Sequence, residues 1–76
     1  MTDRIYHFES ATFGTITATK EELESLQDVL LCAQIHYYDR RDIEKAHNCE
    51  ALAEFYDDKA MEMCRTYNRI SELIGD

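Results

Sequence analysis

The chain has no proline and no tryptophan, and only two glycines, Gly14 and Gly75, among its 76 residues. A phosphate-cradling loop, a dinucleotide fingerprint or a nucleophile elbow needs clustered glycine, so these classes of site are close to excluded. Cysteine is scarce and odd in number: Cys32, Cys49 and Cys64 are widely spaced and form no Cys-x-x-Cys pair. That count does not suit a disulfide framework and points to a reduced chain with buried thiols. Long apolar runs are missing too. No stretch approaches the roughly 18 residues of a membrane span, and the start, Met1-Thr2-Asp3-Arg4-Ile5, lacks the apolar core of a secretion signal. The expected location is the cytoplasm. Bases are half as common as acids, 8 against 16, for a net charge of −8. Binding to phosphate backbones rests on Lys and Arg, so direct nucleic-acid binding is disfavoured, as are anionic membranes. A basic protein partner is permitted.

What is present is enough to fold. Hydrophobic residues make up 45% of the chain and aromatics 11%, so apolar burial offsets chain entropy. Seventy-six residues form a single domain. A domain of this size is marginal alone and is often completed by a metal, disulfides or a second copy.

Residues 4–18 are rich in aromatic and β-branched types, with Ser10-Ala11-Thr12 as a turn, and predict a β-hairpin. Strand alternation puts Tyr6 and Phe8 on one face, and Gly14, Ile16 and Ala18 on one face of the second strand. Thr19-Lys20-Glu21-Glu22 is a capping box that opens a helix over 20–38. Its apolar residues Leu23, Leu26, Leu30, Ala33 and Tyr37 follow 3,4 spacing. Continued, that spacing lands on Arg40 and Glu44, so a helix–helix turn is expected near Asp39-Arg40-Arg41-Asp42, with one long bent helix as the alternative. A second, longer helix is expected over 42–74. There Ala46, Cys49, Ala53, Tyr56, Ala60, Met63, Tyr67, Ile70 and Ile74 keep a 3,4 alternation, the pattern of a helix-on-helix seam. Alanine at three equivalent positions allows close backbone approach. Gly75 stands as its C-terminal cap. The expected fold is α+β and mostly helical, a β-hairpin followed by an antiparallel helical hairpin (ββαα). The seam partner is either the first helix or a second copy. The greater expected length of the second helix favours a homodimer.

Three groups invite functional readings. Cys32 and His36 with His47 and Cys49 offer soft ligands, but the usual zinc spacing is absent. Glu50, Glu54, Asp57 and Asp58 make an acidic stripe, by default a solvated helix face. No Glu-x-x-His pair or EF-hand loop accompanies it. Tyr37, Tyr38, Arg40 and Arg41 combine residue types enriched at interfaces, at what is expected to be the helix turn. Nothing calls for a cofactor. The leading expectation is a non-enzymatic protein-interaction module, homodimeric, acting as an inhibitor or accessory regulator of a basic nucleic-acid-binding protein. Its carboxylates would stand where phosphates sit, by analogy with small acidic proteins of phages and mobile elements. Two alternatives are a metal-binding or enzymatic helical protein and a structural subunit that pairs through its hairpin edge.

Overall fold

The computed structural model describes residues 4–75. Met1–Asp3, on which the expectation of no secretion signal partly rests, lie outside the described residues.

Strands β1 (Ile5–Ser10) and β2 (Gly14–Thr19) pair antiparallel, with Tyr6 opposite Ala18, Phe8 opposite Ile16 and Ser10 opposite Gly14. The expected face forms: Phe8 is buried, and Tyr6, Ile16 and Ala18 are half-buried against the core. The Ser10 hydroxyl oxygen accepts from the amides of Thr12 and Phe13, both at 3.1 Å, which closes the turn. Gly14 follows at φ 74°, a left-handed conformation that a Cβ disfavours.

Thr19 then caps helix α1 (Lys20–Ala46). Its hydroxyl accepts from the Glu22 amide at 3.2 Å, and the Glu22 carboxylate accepts from the Thr19 amide at 2.9 Å. Both bonds of the capping box are present. Thr19→Ala is expected to cost about 1 kcal/mol, a drop in melting midpoint of roughly 4–8 °C by circular dichroism. A midpoint unchanged within a degree would mean that packing alone fixes the start of α1.

The turn expected at 39–42 is not there, and α1 runs through that stretch without a bend into a second element. The reason lies at the positions that seemed to end the stripe. Glu44 is buried at 8% exposure, and the Arg40 guanidinium donates to its carboxylate at 3.3 Å while lying 5.7 Å over the Tyr56 ring. A paired base and acid thus continue the packing face where apolar residues are missing.

The chain turns at His47-Asn48-Cys49 instead. The Cys49 amide donates to the Glu44 carbonyl at 2.8 Å and the Asn48 amide to the Lys45 carbonyl at 3.1 Å. Asn48 has φ 60°, so this is a Schellman closure with asparagine in the left-handed position usually held by glycine. Helix α2 (Glu50–Ile74) returns antiparallel to α1 and is capped by Gly75. The helices are 27 and 25 residues long, so the expected excess of the second over the first does not occur.

Leu23, Leu30, Met63, Ile70 and Phe8 form the buried cluster, with Leu26, Ala33, Tyr37 and Tyr67 packed around it. The molecule is a rod, 55 × 18 × 16 Å. Six-residue strands reach about 20 Å, whereas helices of this length reach about 40 Å. The hairpin therefore covers one face of the helical pair over only half its length.

Candidate interaction surfaces

The alanine seam is met by α1 of the same chain. Ala53, Ala60, Met63 and Ile70 are buried, and Tyr56, Tyr67 and Ile74 are half-buried. The seam begins later than expected: Ala46 ends α1, Cys49 lies in the turn, and both are exposed. Seam residues from Ala53 onward thus pack against α1 of the same chain, with Tyr56, Tyr67 and Ile74 left partly exposed.

The tyrosine and arginine group lies along the last turns of α1 and ties it to α2. Tyr37 stacks on Tyr56 with ring centroids 6.2 Å apart. Arg41 lies 4.6 Å over the Tyr38 ring and donates to Asp57 at 2.8 Å, with a second carboxylate, Asp42, at 3.1 Å. The hydrogen bond to Asp57 and then that to Asp42 raise the Arg41 pKa above its ordinary value, so the guanidinium stays charged at any working pH. Arg40 is held by Glu44 and Tyr56, as described above. This group bridges the two helices more than it presents itself to a partner.

The acidic stripe divides the same way. Asp57 is engaged by Arg41, whereas Glu50, Glu54 and Asp58 are exposed and make no ion pair among the described residues. Glu50, Glu54 and Asp57 line a shallow, open hollow beside the helix turn, together with Arg41, Lys45 and Asn48. Its lining sets three acids against two bases.

The thiols are not buried as expected. Cys32 and Cys49 are exposed and Cys64 is half-buried, all three free. Cys32 fits the outer surface because it falls off the α1 packing stripe. Cys32 and His36 stand mid-helix, while His47 and Cys49 sit at the turn. Among the described residues no three His, Cys, Asp or Glu side chains gather closely enough to hold a metal ion. No helix among them is long and apolar enough to cross a membrane.

A surface missed in the sequence is the most pronounced. Among the described residues nine large apolar side chains are exposed, including Val29, Leu31, Ile35 and Ile43 on α1 and Leu52, Phe55 and Met61 on α2. One of them, Phe55, ends a run of neighbouring rings. The His36 ring meets Tyr37 at 5.8 Å, Tyr37 stacks on Tyr56, and Phe55 packs edge-on against Tyr56 at 5.5 Å. Lys59 lies 5.5 Å over the Phe55 ring. An aromatic band therefore crosses from α1 to α2. Its sequence signal was the off-seam position of Leu52 and Phe55, which the 3,4 alternation of α2 leaves out.

The band lies on the side of the pair that carries the hairpin. Glu62, Thr66, Arg69 and Leu73 follow Phe55 by 7, 11, 14 and 18 residues, each close to a whole number of turns. All four adjoin the hairpin. The Thr12 hydroxyl donates to Glu62 at 3.1 Å, and Phe8 shares open hollows with Thr66, Arg69 and Leu73. One face of α2 is thus roofed from Glu62 onward and bare before it.

No protein-family model matches this chain, and no characterised protein or solved structure matches it.

Proposed function

We propose that this chain is a small protein-interaction module that works as a homodimer and engages a basic protein through the outer side of α2. The observation that carries the reading is the distribution of apolar residues. Among the described residues nine large ones are exposed while the core holds seven buried hydrophobic residues, two of them alanine. Apolar surface on that scale in so small a domain belongs against another chain. Glu50, Glu54 and Asp58, exposed and unpaired within the described residues, supply the acidic side that a basic target would meet. In the finer form of the proposal the target binds nucleic acid, and the carboxylates compete for the Lys and Arg side chains that hold phosphates.

The test is affinity capture with the chain and with a Glu50→Lys, Glu54→Lys, Asp58→Lys variant as baits, followed by titration of each captured protein. Each reversal adds two charges, so the variant carries −2 in place of −8. The expected partner is basic, binds the original chain at least tenfold more weakly at 200 mM than at 50 mM salt, and is lost by the variant. A partner held equally by both baits overturns the acidic-face reading.

One feature favours a second reading. The sheet has two strands only, so both outer edges lack a partner strand among the described residues. An accessory subunit could add such an edge to another protein's sheet. Its sign is amide exchange at Ile5–Phe8 that slows when the partner binds.

A further inference from the structure

We propose that the basic partner lays a short amphipathic helix, apolar on one side and flanked by Lys or Arg, along the bare half of the hairpin-bearing face. The inference rests on the reading of the chain as a module for a basic protein. It names the element of the partner that binds and the place where it lies.

The site is the unfinished end of a layer. Over one half of the helical pair the hairpin seals this face with Phe8. Over the other half the same face carries Leu52 at 48% exposure and Phe55 at 51%, with the half-buried rings of Tyr37 and Tyr56 beside them. Two side-by-side helices leave a groove between them, and the rings form its floor. A strand layer stands about 10 Å deep on the face it covers. A helix with its side chains is about 10–12 Å across, so one laid in the groove continues the roof at the same height.

The floor also decides which element can lie there. Apolar rings offer no partners for backbone N–H and C=O groups, so an extended segment would bury its own unpaired. A helix satisfies them internally and presents apolar side chains at 3,4 spacing to such a groove. The bare stretch of α2, Glu50–Lys59, is ten residues long and spans about 15 Å. It matches about three turns of a partner helix. A contact of that length buries roughly 600–800 Å² in all, which is the size of a weak, transient interface and too small for a permanent one.

Charge names the occupant. Asp39 follows His36 by three residues and Asp58 follows Phe55 by three, so each stands about one turn beyond a ring that ends the band. One carboxylate therefore borders the groove on α1 and one on α2. Both are exposed, and neither has an ion-pair partner among the described residues. The bases of the site are engaged: Arg40 with Glu44 at 3.3 Å, and Lys59 with Glu62 at 3.7 Å. An apolar floor between free carboxylates, on a chain of −8, complements an apolar stripe between cations. The same carboxylates oppose a second copy of this chain. The other exposed apolar pair, Leu31 and Ile35, lies on the outside of α1, where no second helix stands alongside to make a groove.

The probe is a labelled leucine–lysine peptide of about 14 residues, four turns, with leucine at 3,4 spacing, titrated with the chain by fluorescence anisotropy. Its control has the same composition in an order that gives no apolar side. The expected dissociation constant is on the order of 100 µM, weakened at least about tenfold in the control peptide. Asp39→Lys with Asp58→Lys is expected to weaken binding at least about tenfold, and Ile35→Glu to change it by less than about threefold. Phe55→Glu is decisive, because it adds negative charge to the chain. A cation held by charge alone binds that variant more tightly, whereas a helix seated on the rings binds it at least about tenfold more weakly. Leu52→Glu repeats the test should Phe55→Glu fail to fold by circular dichroism. No binding up to about 1 mM, equal binding of the control peptide, or binding that both glutamate variants leave intact overturns the proposal. So does a chain that sediments as a dimer and becomes a monomer with Phe55→Glu, since a second copy would then fill the groove. A natural partner captured by the chain and lost on charge reversal, but indifferent to Phe55→Glu, keeps the module reading and ends this one.

Discussion

Leu30→Ala is expected to remove about 3 kcal/mol of stability, and the neighbouring change Leu31→Ala less than about 0.5 kcal/mol. The two residues have the same chemistry and adjoin on one helix, but Leu30 is 1% exposed and Leu31 46% exposed. Truncating Leu30 leaves a cavity between α1, Met63 and the rest of the buried cluster. The surrounding helices cannot close it, because Ala60 already sits at zero exposure in the seam. A domain of this length holds roughly 4–11 kcal/mol in total. Losing about 3 of them lowers the melting midpoint by roughly 12–24 °C. Thermal and urea unfolding by circular dichroism, at one fixed protein concentration, give both numbers. If Leu31→Ala proved as damaging as Leu30→Ala, a second chain would be resting on the outside of α1.

That contrast also marks how much of the fold could be read from residue order. The hairpin was legible because strand alternation has a period of two, which put Tyr6 with Phe8 on one face of the first strand and Ile16 with Ala18 on one face of the second; the register that sets Phe8 opposite Ile16 came with the structure. The start of α1 was legible because Thr19 and Glu22 satisfy its free amides locally. Its end was not. The apolar stripe stops at Tyr37, but helices are continued by whatever fills the packing face, and here Arg40 and Glu44 fill it as a pair. The true stop, Asn48, is neither glycine nor proline, the residues that most plainly punctuate a helix. Asparagine is the other residue that tolerates the left-handed turn. The Ala53–Ile74 seam was legible as a seam. Its partner was not, because a 3,4 pattern says which side is buried and is silent on which helix buries it. Once α1 is seen to extend to Ala46, the two helices match in length and the seam finds its cover within the chain.

The candidate surfaces divide along the same line. Glu50, Glu54 and Asp58 are as exposed as a charged helix face implies. Asp57 could not be separated from them by spacing, since its pairing with Arg41 joins residues of two helices. The patch around Phe55 was beyond the sequence for a different reason. It exists only because a short hairpin lies at one end of a long helical pair. The extent of one element against another is a three-dimensional fact that no periodicity contains.

Phe8→Ala is expected to release the hairpin without melting the helices. Phe8 is the one hairpin residue in the buried cluster, at 7% exposure, and truncating a buried phenylalanine costs roughly 3–5 kcal/mol. A two-stranded sheet has no stability of its own to absorb that loss. Its remaining attachments are half-buried Tyr6, Ile16 and Ala18 and the exposed hydrogen bond from Thr12 to Glu62. The helical pair keeps Leu23, Leu30, Met63 and Ile70 packed without it. Hydrogen exchange followed by mass spectrometry separates the outcomes. The expected result is that amides of Ile5–Ser10 and Gly14–Thr19 exchange at least about 100-fold faster, as for a loss of some 3 kcal/mol, while those of Ala53–Ile70 slow or speed by less than about tenfold. Uniform acceleration across α1 and α2 would show one cooperative unit in which the hairpin is structural for the whole chain. Selective release would leave the full length of the helical face bare.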